Sequence, residues 1–177
     1  MITQKNKDYN EKGEAMRPLV YQIVLGKTSK WLDECICSVK NFADRNMYDY
    51  YVDVELPEKY QHMQFREASE WMRLEKLASR PYVLYVDWDI KILRDFVLKD
   101  EMIIIKVIDA MLYFGKNVDI AKKVFEKTLE KYSGNYIPGM GHFSFIDVIG
   151  EDYQKYWLSD DHYKHLMWNT TGSTFYI

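Results

Sequence analysis

Two aspartates separated by one residue, Asp87 and Asp89, are the side chains whose type and spacing most clearly suggest chemistry. They directly follow the apolar residues 82–86, which predict a buried strand. In an extended chain their carboxylates would point to the same side and repel each other unless a cation or hydrogen-bond donors compensate them. Divalent Mg²⁺ and Mn²⁺ prefer oxygen ligands and often combine carboxylates with substrate phosphates. The pair therefore predicts a metal site that stabilises a departing diphosphate, although an acidic turn without a ligand fits the same pattern.

Alternating apolar and amphipathic segments lead up to this pair and position it. Residues 19–25 are apolar and β-branched and predict a first strand that Gly26 ends. Helical spacing predicts a helix after Thr28 or Ser29, and further patterns predict a strand over residues 50–56 and a helix over residues 66–79. Strands that alternate with helices predict an α/β fold with a mostly parallel central sheet flanked by helices. Ligands of such sheets bind at the carboxyl ends of the strands, where the acidic pair lies.

The remainder of the chain predicts elements of the same kinds. They are strands over residues 102–108, 110–114 and 143–149, and helices over residues 118–132 and 152–158. Residues 1–17 form a polar leader whose composition allows disorder. We expect residues 18–177 to form a single domain, because a chain of this length supports one core.

Composition and charge narrow the class of partner. The chain has 177 residues and a formal net charge of -3 at pH 7, and it contains no long basic run. Attraction to a nucleic-acid backbone comes from clustered Lys and Arg, so we expect no nucleic-acid partner. No stretch reaches the roughly 18 consecutive apolar residues of a membrane span, and the first residues lack the apolar core of a secretory signal. We therefore expect no transmembrane segment and a cytoplasmic location.

A series of short segments resembles one known family. In chain order they are residues 19–26, residues 35–38, Ser-Glu-Trp-Met-Arg at residues 69–73, and Tyr-Val-Asp-Trp-Asp at residues 85–89. This series is similar to the glycosyltransferases with a DXD sugar-binding region, which include capsular-polysaccharide and Och1-like mannosyltransferases. The similarity spans about residues 19–95, and its last two segments are the most specific. It implies a GT-A-like fold and a compact, metal-dependent glycosyltransferase of hexosyltransferase type, which moves a sugar from a UDP- or GDP-sugar donor to a glycan or other acceptor.

The resemblance also implies a metal site. Asp89 would bind Mn²⁺ or Mg²⁺ directly, and Asp87 would contact the ribose or, through water, the metal. Members of the family tend to carry a metal-binding His near the C-terminus, and the nearest match here is His165, three residues before Trp168. A neutral imidazole suits Mn²⁺, although a surface histidine beside Trp168 is the alternative interpretation.

The donor-binding residues that the resemblance implies lie on the preceding elements. Ser69 and Arg73 would hold the nucleotide-sugar, and Leu25 with Gly26 would line the pocket for its base. The chain departs from the family at Glu70, where an Asp is usual, and at residues 80–82, which replace a Gly-Gly pair. For a base that deprotonates the acceptor, the candidates are Asp147, Glu151 and Asp152, each of which also fits a solvated carboxylate.

Two other functions stay open. In a haloacid-dehalogenase-like phosphatase, Asp87 would be the nucleophile and Asp89 the acid/base. That fold places its first motif near its start, whereas about half of this chain precedes Asp87. A non-catalytic nucleotide-sugar-binding module is the other alternative, which the short chain and the missing Gly-Gly pair suggest.

Overall fold

The computed structural model describes residues 16–105 and 110–165 of the chain. Its strands are β1 (Leu19–Ile23), β2 (Asp49–Asp53), β3 (Val83–Val86), β4 (Ile90–Ile92), β5 (Ile103–Ile104), β6 (Met111–Tyr113) and β7 (Tyr163–His165). The described residues form a five-stranded sheet in the order β2-β1-β3-β6-β5 and a two-stranded sheet of β4 and β7. In the larger sheet β1 pairs parallel with β2 and β3, and only β6 runs in the opposite direction. The mostly parallel central sheet is therefore confirmed.

Helices flank both faces of this sheet. They are α1 (Lys30–Arg45), α2 (Phe65–Ser79), α3 (Val118–Tyr132) and α4 (Met140–Ile149). Because side chains alternate along a strand, Val20 and Leu84 enter one core with α1, while Tyr21 and Tyr85 enter the other core with α2, α3 and α4. No helix of residues 16–105 and 110–165 is long and apolar enough to span a membrane.

The prediction of a strand over residues 143–149 is wrong, because this segment belongs to α4. Its content of Phe, Ile and Val favours a strand, but its buried residues recur at helical spacing: Met140, Gly141, Ser144 and Phe145. The backbone turns into the helix at Gly139, whose φ of 83° lies in the left-handed region that favours glycine.

Other elements follow the prediction with shifted ends. The helices predicted over residues 66–79 and 118–132 are confirmed as α2 and α3, whereas the predicted helix over residues 152–158 is a 3₁₀ helix at Glu151–Tyr156. The strand predicted over residues 102–108 is limited to the two residues of β5, and residues 106–109 lie outside the described part of the chain. Residues 1–15 of the predicted leader also lie outside it.

The order of the strands creates a point where the chain reverses its direction across the sheet. After β1 the chain passes through α1 to β2 on one side of β1, and then through α2 to β3 on the other side. We call the edge where β1, β2 and β3 end the carboxyl edge, and the edge where they begin the amino edge. In open α/β sheets, ligands bind at the carboxyl edge between the two strands that flank such a reversal. Here those strands are β1 and β3, and β3 ends directly before Asp87.

Candidate functional site

A tight turn, which we call the acidic turn (residues 87–90), joins β3 to β4 at the carboxyl edge. The amide of Ile90 donates a hydrogen bond to the carbonyl of Asp87 at 3.2 Å, and the amide of Asp87 donates to the carbonyl of Ala110 at 2.7 Å. The expectation of an extended chain through Asp87 and Asp89 is therefore wrong, because the backbone turns between them. Their two carboxylates consequently have different surroundings.

The carboxylate of Asp87 is held by a buried tyrosine. The hydroxyl of Tyr85 donates a short hydrogen bond to Oδ1 of Asp87. Burial, followed by the charge of Asp87, raises the pKa of Tyr85 well above its usual value, so this hydroxyl keeps its proton and stays a donor. On the other face of the sheet, Nε2 of the buried Gln22 donates to the carbonyl of Asp87 at 3.4 Å, and the Tyr50 hydroxyl donates to Oε1 of Gln22 at 2.9 Å. Side chains of two neighbouring strands thus fix the position of Asp87.

Asp89 is buried beside the first flanking helix, with only 6% of its surface exposed. Helix α1 packs against β4, the strand that follows Asp89. Burial, followed by the charge of Asp89, raises the pKa of the Cys35 thiol on α1 to about 11. Aspartate is seldom buried to this degree in folded proteins. The acidic turn therefore carries one carboxylate that the protein encloses almost completely.

Arg73 on α2 approaches the acidic turn from the opposite core. Its guanidinium carbon lies 5.6 Å from the centre of the Tyr85 ring, and its Nη2 lies 3.6 Å from Oε2 of Glu70. Only 6% of Arg73 is exposed, which is unusual for arginine. The structure thus brings Arg73 to the tyrosine that holds Asp87. Ser69, one turn earlier and half-buried, donates its hydroxyl to the carbonyl of Arg66 in its own helix at 2.8 Å.

Open space follows the end of β1. Leu25 is half-buried and packs against the core under α2, whereas Gly26 is exposed with a φ of 91°. A Cβ atom at Gly26 would have no neighbour within 4 Å. Leu25 and Gly26, the residues predicted to line the base pocket, therefore lie at the carboxyl edge, and the space is open at Gly26.

The backbone of His165 lies next to the acidic turn. His165 belongs to β7, and its register partner in β4 is Ile90, the residue that follows Asp89. Trp168, which the alternative interpretation places beside His165, lies outside the described part of the chain. Metal binding by His165 stays a prediction.

Oxygen donors for a cation are available in the acidic turn. No group of three or more His, Cys, Asp or Glu side chains that could hold a metal is found among the residues described. Asp87 and Asp89 nevertheless supply two carboxylates within one turn, one of them buried, which is the donor type that Mg²⁺ and Mn²⁺ prefer beside substrate phosphates. The acidic turn thus offers oxygen donors of the kind that such an ion uses, and the remaining ligands would come from the phosphates or from water.

Two side chains near this site were not recognised from the sequence as parts of it. Gln22 is a polar residue inside an apolar strand, and that contrast was the available signal. Glu70 was noted only as a departure from the family, yet it is 4% exposed and accepts hydrogen bonds from the amide of Gly139 at 3.0 Å and the hydroxyl of Tyr136 at 3.1 Å. By contrast Asp147, a candidate base, forms an ion pair with Lys131 that links α4 to α3.

Comparison with known proteins identifies the fold. No protein-family model matches the chain, and no curated protein matches it. Among solved structures it is similar to a glycosyltransferase involved in the glycosylation of the major capsid of PBCV-1, with a TM-score of 0.50 and 14% sequence identity. The match covers 84% of this chain and 94% of that chain. The chain therefore has a glycosyltransferase fold, as predicted, and the match extends over most of both proteins.

Proposed function

We propose that this protein is a metal-dependent glycosyltransferase, which transfers a sugar from a UDP- or GDP-sugar donor to a glycan or other acceptor. The observation that carries the proposal is the position of the acidic turn. It lies at the reversal point of a glycosyltransferase fold, with the buried Arg73 close by. A carboxylate pair and a guanidinium together suit a diphosphate that is bound with a cation.

Each of the candidate residues would have a distinct role. Asp89 and Asp87, with His165, would hold Mn²⁺ or Mg²⁺, and the ion would neutralise charge that develops on the diphosphate when the sugar leaves. Tyr85 would keep Asp87 in one orientation through its hydrogen bond. Arg73 would donate charge-assisted hydrogen bonds to the phosphate oxygens.

The rest of the donor would extend along the carboxyl edge. Gly26 leaves open space at the end of β1, beside Leu25, that a nucleobase would occupy. Ser69 would turn its hydroxyl from the carbonyl of Arg66 to the donor. A donor bound in this position would have its sugar-phosphate bond next to the metal and Arg73. The contacts with the base and with Ser69 would therefore act mainly by positioning the donor.

A screen for donor hydrolysis tests the proposal without knowledge of the acceptor. Purified protein is incubated with common UDP- and GDP-sugars, with Mn²⁺ or with EDTA, and the released nucleoside diphosphate is measured. We expect slow hydrolysis of at least one donor with Mn²⁺ and its loss with EDTA. Calorimetry with the same donors measures binding in parallel.

The outcomes separate the alternatives. If no UDP- or GDP-sugar binds in the presence of Mn²⁺, the proposal is wrong. Tight binding of a donor with neither hydrolysis nor transfer to any acceptor would instead identify a non-catalytic nucleotide-sugar-binding module.

A further inference from the structure

A buried carboxylate outside the acidic turn connects it to the start of α4. Glu70 lies on α2 one turn before Arg73, and only 4% of its surface is exposed. Its Oε1 accepts the hydrogen bonds of Gly139 and Tyr136, while its Oε2 faces Nη2 of Arg73. One oxygen of this carboxylate thus contacts the segment before α4, and the other contacts Arg73.

These contacts form a continuous series that begins at Asp87. The carboxylate of Asp87 accepts from Tyr85, the Tyr85 ring lies under the guanidinium of Arg73, and Arg73 faces Glu70. Glu70 in turn holds the segment 136–139, which leads into α4. We call this segment the α4 entry. A change at Glu70 therefore reaches both the guanidinium beside the candidate donor site and the α4 entry.

The physical reason for a carboxylate at this place has two parts. The first amides of a helix lack partners and carry partial positive charge, so Oε1 of Glu70 caps α4 from another helix. An arginine that is nearly buried needs an anion nearby, and Oε2 of Glu70 is in the position to supply it. The longer side chain of Glu, compared with Asp, allows one carboxylate to reach both groups.

We propose that Glu70 is a positioning residue, which fixes the guanidinium of Arg73 and the α4 entry as one wall of the donor site. This inference rests on the proposed function, because it takes Arg73 to bind the donor phosphates. It assigns to Glu70 no contact with the donor itself.

Two substitutions separate the two connections of Glu70. In Glu70→Gln the amide oxygen still accepts from Gly139, but the amide nitrogen opposes Arg73 as donor against donor. In Glu70→Asp the charge stays and the carboxylate withdraws from the α4 entry by one methylene. Glu67→Gln, on the first turn of the same helix, is the matched control.

The measurement is the KM and kcat of donor hydrolysis with Mn²⁺, at a temperature where circular dichroism shows each variant to be folded. We expect Glu70→Gln to raise the KM of the donor about tenfold, because the nearly buried Arg73 loses the anion that faces it at 3.6 Å. Glu70→Asp is expected to lower kcat several-fold with a smaller effect on KM. Glu67→Gln should leave both values unchanged, and a merely structural cap would lower only the melting temperature.

The possible results distinguish the inference from the function on which it rests. If the wild type hydrolyses a donor and Glu70→Gln has the kinetic constants of Glu67→Gln, the positioning role is refuted while the proposed function stands. If the wild type neither binds nor hydrolyses any donor, the proposed function is wrong and so is the inference that rests on it.

If Glu70→Gln does not fold, Tyr136→Phe is tested in its place. This substitution removes only the Tyr136 hydroxyl, which donates a hydrogen bond to Glu70. An unchanged kcat and KM in Tyr136→Phe would then refute the inference, and a several-fold loss of kcat/KM would support it.

Discussion

The two edges of the central sheet are built in different ways. At the amino edge, backbone groups bind one another: the amide of Leu19 donates to the carbonyl of Tyr82 at 2.8 Å, and the amide of Tyr82 donates to the carbonyl of Gly115 at 2.9 Å. At the carboxyl edge, backbone bonds such as that from the Asp87 amide to the Ala110 carbonyl are joined by bonds from buried side chains, those of Tyr85 and Gln22 to Asp87. Backbone contacts depend little on side-chain identity, so the amino edge stabilises the fold while the carboxyl edge carries groups that could do chemistry.

Two glycines show the same contrast. Both have a positive φ, 60° at Gly115 and 91° at Gly26. At the amino edge a Cβ on Gly115 would overlap the carbonyl oxygen of Asp100, whereas at the carboxyl edge a Cβ on Gly26 would meet nothing within 4 Å. Close backbone packing requires the first glycine, and open space surrounds the second.

The largest expected effect is on activity and comes from the carboxyl edge. We predict that Asp89→Asn lowers Mn²⁺-dependent donor hydrolysis by about 100- to 1000-fold, which is the range for the loss of one preorganised electrostatic group. The unfolding free energy should not fall comparably, because Asn has almost the same size as Asp and keeps one oxygen as an acceptor. The hydrolysis assay and a urea titration measure the two quantities.

The matched control for this substitution is Asp119→Asn on the exposed first turn of α3. Asp119 pairs only across the helix surface with Lys122 at 3.6 Å among the contacts described, so the change should leave hydrolysis as it is. Equal loss of activity in both variants would contradict a special role for Asp89.

The next effect is on stability and comes from the amino edge. We predict that Gly115→Ala lowers the unfolding free energy by roughly 3 kcal/mol, since backbone strain adds to steric overlap with Asp100. Gly26→Ala, which has the strain but no overlap, should cost about 1 kcal/mol. Chemical denaturation of both variants tests this difference, and equal losses would show that the two edges do not differ in packing.

The smallest effect concerns Met47, which lies where α1 returns to the amino edge. Met47 has a φ of 56° and is 78% exposed, so its side chain contributes little packing while the backbone is strained. We predict that Met47→Gly raises the unfolding free energy by about 1 kcal/mol. The KM of the donor should not change. An altered KM would mean that the amino edge influences the candidate site, and it would contradict the assignment of stability to one edge and of chemistry to the other.

The sequence predicted those parts of the fold and site whose signals are local. The apolar strand before Asp87 and the amphipathic spacing of α2 and α3 depend on neighbouring residues, and these predictions are confirmed. The helix α4 was missed because its apolar composition favours a strand while its contacts with the core decide for a helix.

The missed connections of the site have a different cause. Glu70 binds Tyr136 and Gly139, which are 66 and 69 positions away in the chain. Gln22 reaches the carbonyl of Asp87 across 65 positions. No short-range pattern encodes such pairs, since they exist only after the sheet and its helices have assembled.

The pairing of β4 with β7 has a consequence for how the protein is made. A chain that leaves the ribosome can assemble β1, β2, β3, β5 and β6 once residue 113 has emerged. The strand that continues from the acidic turn then still lacks its partner, because Ile90 pairs with His165. The strand that leaves the acidic turn therefore acquires its partner only when the last described residues have been translated.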